Sequence, residues 1–152
     1  MTTPSESSVS LKVRLVRPGA QLPRRASAGA SGFDLFACFE EIAAVDLSAD
    51  PMLIPTGVAI ELPPGYEAQV RPRSGLAMQG VMVALGTIDS DYRGEILVTM
   101  YVDGSRTSFG VRHGDRIAQL VVTRVPPVEV QQVEQLSPTD RGSGGFGSTG
   151  LQ

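Results

Sequence analysis

The apolar runs of this chain are short, and glycine or proline keeps interrupting them. Seventeen glycines and 11 prolines stand among 152 residues, well above the roughly 12% that the two supply on average. Proline removes a backbone donor and glycine loses entropy on ordering, so neither suits a long helix interior. Between the breaks the pattern has a period of two: Leu11, Val13 and Leu15 alternate with Lys12 and Arg14, as a strand with one buried face requires. Further β-rich runs follow at Gly32–Phe39, Leu53–Leu62, Glu67–Val70, Gly80–Leu85, Ile96–Val102, Ile117–Val125 and Val128–Val133. Turn signals separate most of them, among them Pro63-Pro64-Gly65, Asp103-Gly104 and His113-Gly114-Asp115. Short strands with frequent turns predict an all-β sandwich or barrel. Helix is confined to a turn or two starting at Ser74, with the serine as N-cap.

Composition narrows the function classes. One cysteine, Cys38, excludes an intrachain disulfide framework and fits a reducing compartment. With His113 the only histidine, the usual Cys/His zinc sets are also excluded. No stretch of about 18 apolar residues is present to span a membrane. The opening MTTPSESSVS has neither a basic flank nor an apolar core, so a secretory signal is not expected and a cytoplasmic location is. A net charge of −3 argues against binding nucleic acid through phosphate neutralisation. Twelve arginines accompany a single lysine, Lys12, so no lysine follows it to act in a Schiff base or a phosphate loop.

The expected organisation is a polar leader at 1–10, a β core at 11–136 and a Gly-rich arm at 137–152. The arm contains DRGSGGFGSTGLQ, which reads equally as a flexible terminus. Arg141 and Phe146 are a cation and an aromatic inside a segment with no core to bury them. Gly142 to Thr149 has the glycine spacing of a phosphate loop, but Ser148 stands where lysine belongs. A glycine-rich arm can still wrap polyphosphate with backbone N–H groups.

Four other segments carry chemistry-bearing residues: ASGFDLFA (30–37), RPRSGLA (71–77), GTIDSDYRGE (86–95) and GDRIAQL (114–120). Each taken alone also fits an ordinary turn, cap or edge strand. Together they assemble an anion site at Arg73 and Ser74, a general base at Asp89, a flat wall at Tyr92 and a mobile cation at Arg141. Such a set suits water attack on a polyphosphate, with Mg²⁺ carried in on the substrate's phosphates.

With the arm these make five ordered segments, and the set resembles the five motifs of the trimeric deoxyuridine triphosphatases from about Leu11 to Gly150. The resemblance implies an all-β, distorted jelly-roll barrel or sandwich assembled as a homotrimer. Each active site would be shared by three subunits, with an exchanged C-terminal arm closing over a neighbour's site. It implies hydrolysis of dUTP to dUMP and pyrophosphate with Mg²⁺, which limits uracil in DNA and supplies dUMP for thymidylate synthesis. Asp89 would orient and deprotonate the water attacking the α-phosphorus. Arg73, Ser74, Gly75 and Gln119 would hold phosphates, and Asp34 would approach the metal indirectly, through water. Tyr92 would pack on the deoxyribose, and backbone atoms around Thr87, Ile88 and Leu97 would read the uracil edge. From the arm, Phe146 would stack on uracil, Arg141 would clamp the terminal phosphate, and Gly145, Ser148 and Thr149 would add phosphate contacts.

The sequence departs from the family pattern in two places. AMQGVMVAL, between Leu76 and Gly86, is shorter than the usual segment, and no asparagine occurs anywhere in the chain. Val83, Ala84 and Leu85 stand near the position where the family carries one. Either backbone alone reads the base, or base preference is looser than in relatives. Ser31 also replaces the more common alanine or glycine. Two other readings compete: a deoxycytidine triphosphate deaminase, which shares the fold, and a non-catalytic regulatory nucleotide-binding trimer. The GTIDSDYRGE segment fits the hydrolase better than the deaminase, and the intact Asp89, Tyr92 and arm favour an enzyme.

Overall fold

The computed structural model describes residues 8–144. Among them the chain is all-β apart from one helical turn. In order come β1 (Lys12–Leu15), β2 (Phe33–Phe36), β3 (Ala44–Leu47), β4 (Met52–Pro55), β5 (Val58–Glu61) and β6 (Tyr66–Arg71). The helix α1 (Ser74–Ala77) precedes β7 (Val81–Val83), β8 (Gly86–Ile88), β9 (Leu97–Val102), β10 (Phe109–Arg112) and β11 (Arg116–Arg124). Every strand pair is antiparallel. A four-stranded sheet has the order β2-β11-β6-β8, a three-stranded one β4-β9-β7, and β1-β5 and β10-β3 form ribbons.

Alternation decides what is buried. In β9, Val98, Met100 and Val102 point inward, where they meet Leu35, Leu47, Ile54, Ile117 and Leu120 in one core. β11 breaks strict alternation: its register against β2 shifts between Arg116 and Ala118. That bulge lets the consecutive residues Ile117 and Ala118 both be buried. Beyond it Gln119 stands opposite Asp34 on one side and Arg71 on the other. No described helix is long and apolar enough to cross a membrane.

Several expectations are corrected. The run Leu53–Leu62 is two strands, because Gly57 takes φ +67 and a Cβ there would lie 2.5 Å from that of Ala20. β3 and β10 were not anticipated; each has only four residues, with Asp46 or Gly110 inside, and they pair with each other. No strand forms over Val128–Val133, since the last strand ends at Arg124 and no sheet edge of the same chain receives the segment. Arg73, with extended backbone (φ −98, ψ 131), is the N-cap in place of Ser74 and makes no side-chain capping bond.

Candidate functional site

Arg141 apart, the described residues predicted to act gather in two groups around one sheet. The first lies at the β2-β11-β6 end. Asp34, largely buried, places Oδ1 3.3 Å from Arg73 Nε and Oδ2 3.5 Å from Arg116 Nη1. Arg73 also donates from Nη1 to the Arg116 carbonyl at 3.1 Å, so its guanidinium is fixed from two sides. Gln119 reaches across from β11 and donates to the Pro72 carbonyl at 3.0 Å. It can do so because Gly32 has no side chain: a Cβ there would stand 2.5 Å from Gln119 Oε1. Ser74 and Gly75 open α1 at the surface, and a Cβ on Gly75 would meet nothing within 4 Å. Packing within the chain therefore does not demand glycine at 75.

The second group surrounds β8. A pocket of about 230 Å³ is lined by Val70, the run Gly86–Asp89, Tyr92, Glu95, Ile96 and Leu97. β8 bonds only to β6, so its other edge offers unpaired backbone N–H and C=O groups beside this pocket. Asp89 is exposed at the end of that edge, and its carbonyl accepts the Tyr92 N–H at 3.1 Å to close the following turn. Tyr92 is 45% exposed and donates its hydroxyl to the Glu95 carbonyl at 3.0 Å. Val83, Ala84 and Leu85, the residues near the expected asparagine, are not among those lining the pocket.

Glu95 is a site residue that sequence reasoning passed over. Arg17 grips it with two bonds, Nε to Oε1 at 2.7 Å and Nη2 to Oε2 at 2.9 Å. The Gly57 N–H adds a third at 2.8 Å. Burial pushes the Glu95 carboxyl up, but Arg17 and Gly57 outweigh it and hold the group below its ordinary range. Position 95 within GTIDSDYRGE was the available signal; the partner at position 17 lies outside every motif.

The two groups share no pocket: Arg73 lines a separate cavity of about 290 Å³ with Leu76, Met100, Arg116 and others. Arg141 belongs to neither group in this chain, for its Nε bonds to the Gly144 carbonyl of its own turn at 2.9 Å. Gly145, Phe146, Ser148 and Thr149 lie outside the described residues, as do residues 1–7 of the expected leader.

Residues 19–150 match the family model for dUTPase. The chain belongs to the dUTPase family. A deoxyuridine 5'-triphosphate nucleotidohydrolase of Wolinella succinogenes is 49% identical over 145 residues, covering 92% of this chain and 95% of its own. One from Hydrogenobaculum sp. is 48% identical over 145 residues, covering 93% and 99%. Among solved dUTPase structures, a variant from Staphylococcus bacteriophage 80alpha with dUpNHpp superposes with a TM-score of 0.83. It is 27% identical and covers 93% of this chain and 99% of its own. A mutant dUTPase of phage phi11 of S. aureus, described for coordination of a structural Mg(II) ion, gives 0.73 at 25% identity, covering 83% and 97%.

A metal cage is a separate matter. Among the described residues no cluster of three or more His, Cys, Asp or Glu side chains could hold an ion. Asp34, the expected metal neighbour, has both oxygens turned to arginines. The donor set of the described residues of one chain therefore does not fit a resident Mg²⁺.

Proposed function

We propose that this dUTPase-family chain hydrolyses dUTP to dUMP and pyrophosphate. The observation that carries the reading is Asp89 at the rim of a pocket whose wall is the open edge of β8, within a chain of that family. Uracil presents a fixed pattern of donors and acceptors, and stiff backbone groups of Thr87, Ile88 and Leu97 suit its recognition. Cytosine would leave such buried groups unpaired, which can discriminate by about 10⁴–10⁵-fold. Tyr92 would stand against the deoxyribose and exclude a 2′-hydroxyl.

Asp89 would accept a proton from the attacking water as its oxygen bonds to the α-phosphorus. The bond from that phosphorus to the bridging oxygen then breaks, and pyrophosphate leaves with the electron pair. Arg73, Ser74, Gly75 and Gln119 would hold the phosphates, charge-assisted at Arg73. Mg²⁺ would come bound to the triphosphate, as this ion usually does, and Asp34 would face it only through water.

The same reading extends to assembly. Arg73 and the β8 group line separate cavities, and beyond the last strand the apolar side chains of Val128, Val130 and Leu136 are 77%, 92% and 87% exposed. A homotrimer whose subunits each lend part of a site would bring the groups together and cover that stretch. Arg141 and the residues from Gly145 to Thr149 would then reach a neighbour's substrate, with Phe146 on the base.

Pyrophosphate release with Mg²⁺ from dUTP, dCTP, dTTP and UTP at equal concentration tests the reaction. Release from dUTP alone is expected; release from none would overturn it. Mixed trimers of Asp89→Asn and Arg141→Ala subunits test the sharing, since recovered activity requires contributions from different copies.

A further inference from the structure

Tyr92 has little beneath it to fix its ring. It is 45% exposed and rests on Gly94, which offers no side chain to pack against. What holds the ring is its hydroxyl bond to the Glu95 carbonyl, 3.0 Å long. The position of that carbonyl depends in turn on how Glu95 is anchored.

The anchor comes from a distant part of the sequence. Arg17 follows β1 and forks onto both oxygens of Glu95, while the Gly57 N–H takes a second bond to Oε1. A third arm of Arg17, Nη1, is held by Glu40 at 3.0 Å, so the guanidinium itself is fixed. Gly57 presents its amide from a left-handed turn that a side chain could not share with Ala20. On the far side of Glu95, the Ile96 carbonyl accepts from Thr56 Oγ1 and its N–H donates to the Val58 carbonyl, both at 2.7 Å. The 92–96 segment is therefore pinned at Ile96 by Thr56 and Val58, at Glu95 by the Arg17 fork and the Gly57 N–H, and at Tyr92 by the Asp89 carbonyl, and of these the fork is the only charged tie.

We propose that Arg17 is a positioning residue for sugar selection: its fork on Glu95 sets the Tyr92 ring as the wall against a 2′-hydroxyl. The proposal rests on the reading of Tyr92 as the deoxyribose wall. Arg17 is not among the residues lining the pocket and acts through Glu95, which is. Displacing a reacting or excluding group by about 1 Å can change rates by as much as 10²-fold, so a loosened ring would admit UTP before it harmed dUTP turnover.

The test is kcat and KM for dUTP and UTP, with melting temperature, for wild type, Arg17→Gln, Arg17→Lys and Tyr92→Phe. Arg17→Gln should narrow the dUTP/UTP ratio of kcat/KM by about tenfold, through a gain on UTP while kcat for dUTP holds. Arg17→Lys keeps the charge but not the fork and should recover part of that ratio. A loss on both nucleotides in equal proportion, with a lower melting temperature, would make the fork merely structural and overturn the proposal. Should Arg17→Gln fail to fold, Tyr92→Phe decides, since it removes only the hydroxyl tie; an unchanged ratio there overturns the proposal too. A wild-type chain that hydrolyses dUTP and UTP alike would instead defeat the sugar-wall reading, and the proposal with it.

Discussion

The ring of Tyr92 occupies the space that a side chain on Gly94 would need: a Cβ there would collide with the hydroxyl and ring carbons of the tyrosine. Glycine at 94 is thus required by a side chain two residues earlier and not by its own backbone, which lies outside the left-handed region. Gly94→Ala should lift the ring off its seat and break the bond to the Glu95 carbonyl. The expected outcome is a dUTP/UTP ratio of kcat/KM narrowed by about tenfold, with the fold intact by circular dichroism. Unaltered kinetics would show that the ring position seen here does not matter to the reaction.

Asp89→Asn keeps the shape of the pocket and removes the acceptor for the water's proton. Turnover of dUTP should fall by about 10²–10⁴-fold, the usual contribution of a positioned base, while dUTP binding measured by calorimetry persists. Wild-type turnover in this variant would assign the base to another group.

Asp89 and Tyr92 stand out in one run, GTIDSDYRGE, because turn-forming residues, a carboxylate and an aromatic are written there in adjacent letters. The all-β class was equally legible, since period-two alternation and frequent breakers are local properties. What was not legible required knowing who lies opposite whom. Arg17 looks like one more surface arginine until the fold sets it against Glu95 across 78 residues. Leu53–Leu62 looks like one long strand until Ala20 is found filling the space beside Gly57. Val128–Val133 has the right alternation for a strand, but pairing is a property of a partner edge, and the described chain supplies none for it. β3 and β10 are too short to announce themselves singly and are defined by each other.

Gly32 belongs with these tertiary surprises, and it makes a clean test of Gln119. A methyl group at 32 would press on Gln119 Oε1 and Cβ, at 2.5 and 3.1 Å, forcing the side chain off its bond to the Pro72 carbonyl. Gly32→Ala should therefore raise KM for dUTP several-fold, with Gln119→Ala reproducing the KM change without the steric strain. Steady-state kinetics of the two variants and their double mutant check this: effects that fail to add show that both act through one side chain. Full additivity would mean that Gly32 matters for another reason.

The Glu95 carboxyl also makes stability depend on pH in a direction that can be worked out. Burial raises it, the bonds from Arg17 and Gly57 lower it more, and the net position is below the ordinary value of 4.5. A carboxyl depressed in the folded state stabilises fully above its unfolded value and loses that contribution as pH falls through the folded one. Glu61, held down by Lys12, and Asp103, held down by Ser105, act with the same sign, though both lie at the surface. The wild-type acid limb is therefore a sum, and the difference from Glu95→Gln isolates one member of it. Near neutral pH the variant should be less stable by on the order of 1–3 kcal/mol, the usual cost of losing charged hydrogen bonds at a partly buried site. As pH falls through the lowered folded-state value and the wild-type carboxyl itself becomes neutral, the two should converge. Urea midpoints measured across that range decide the matter: a gap that stays constant with pH would mean that the Arg17–Glu95 fork holds the loop by packing alone.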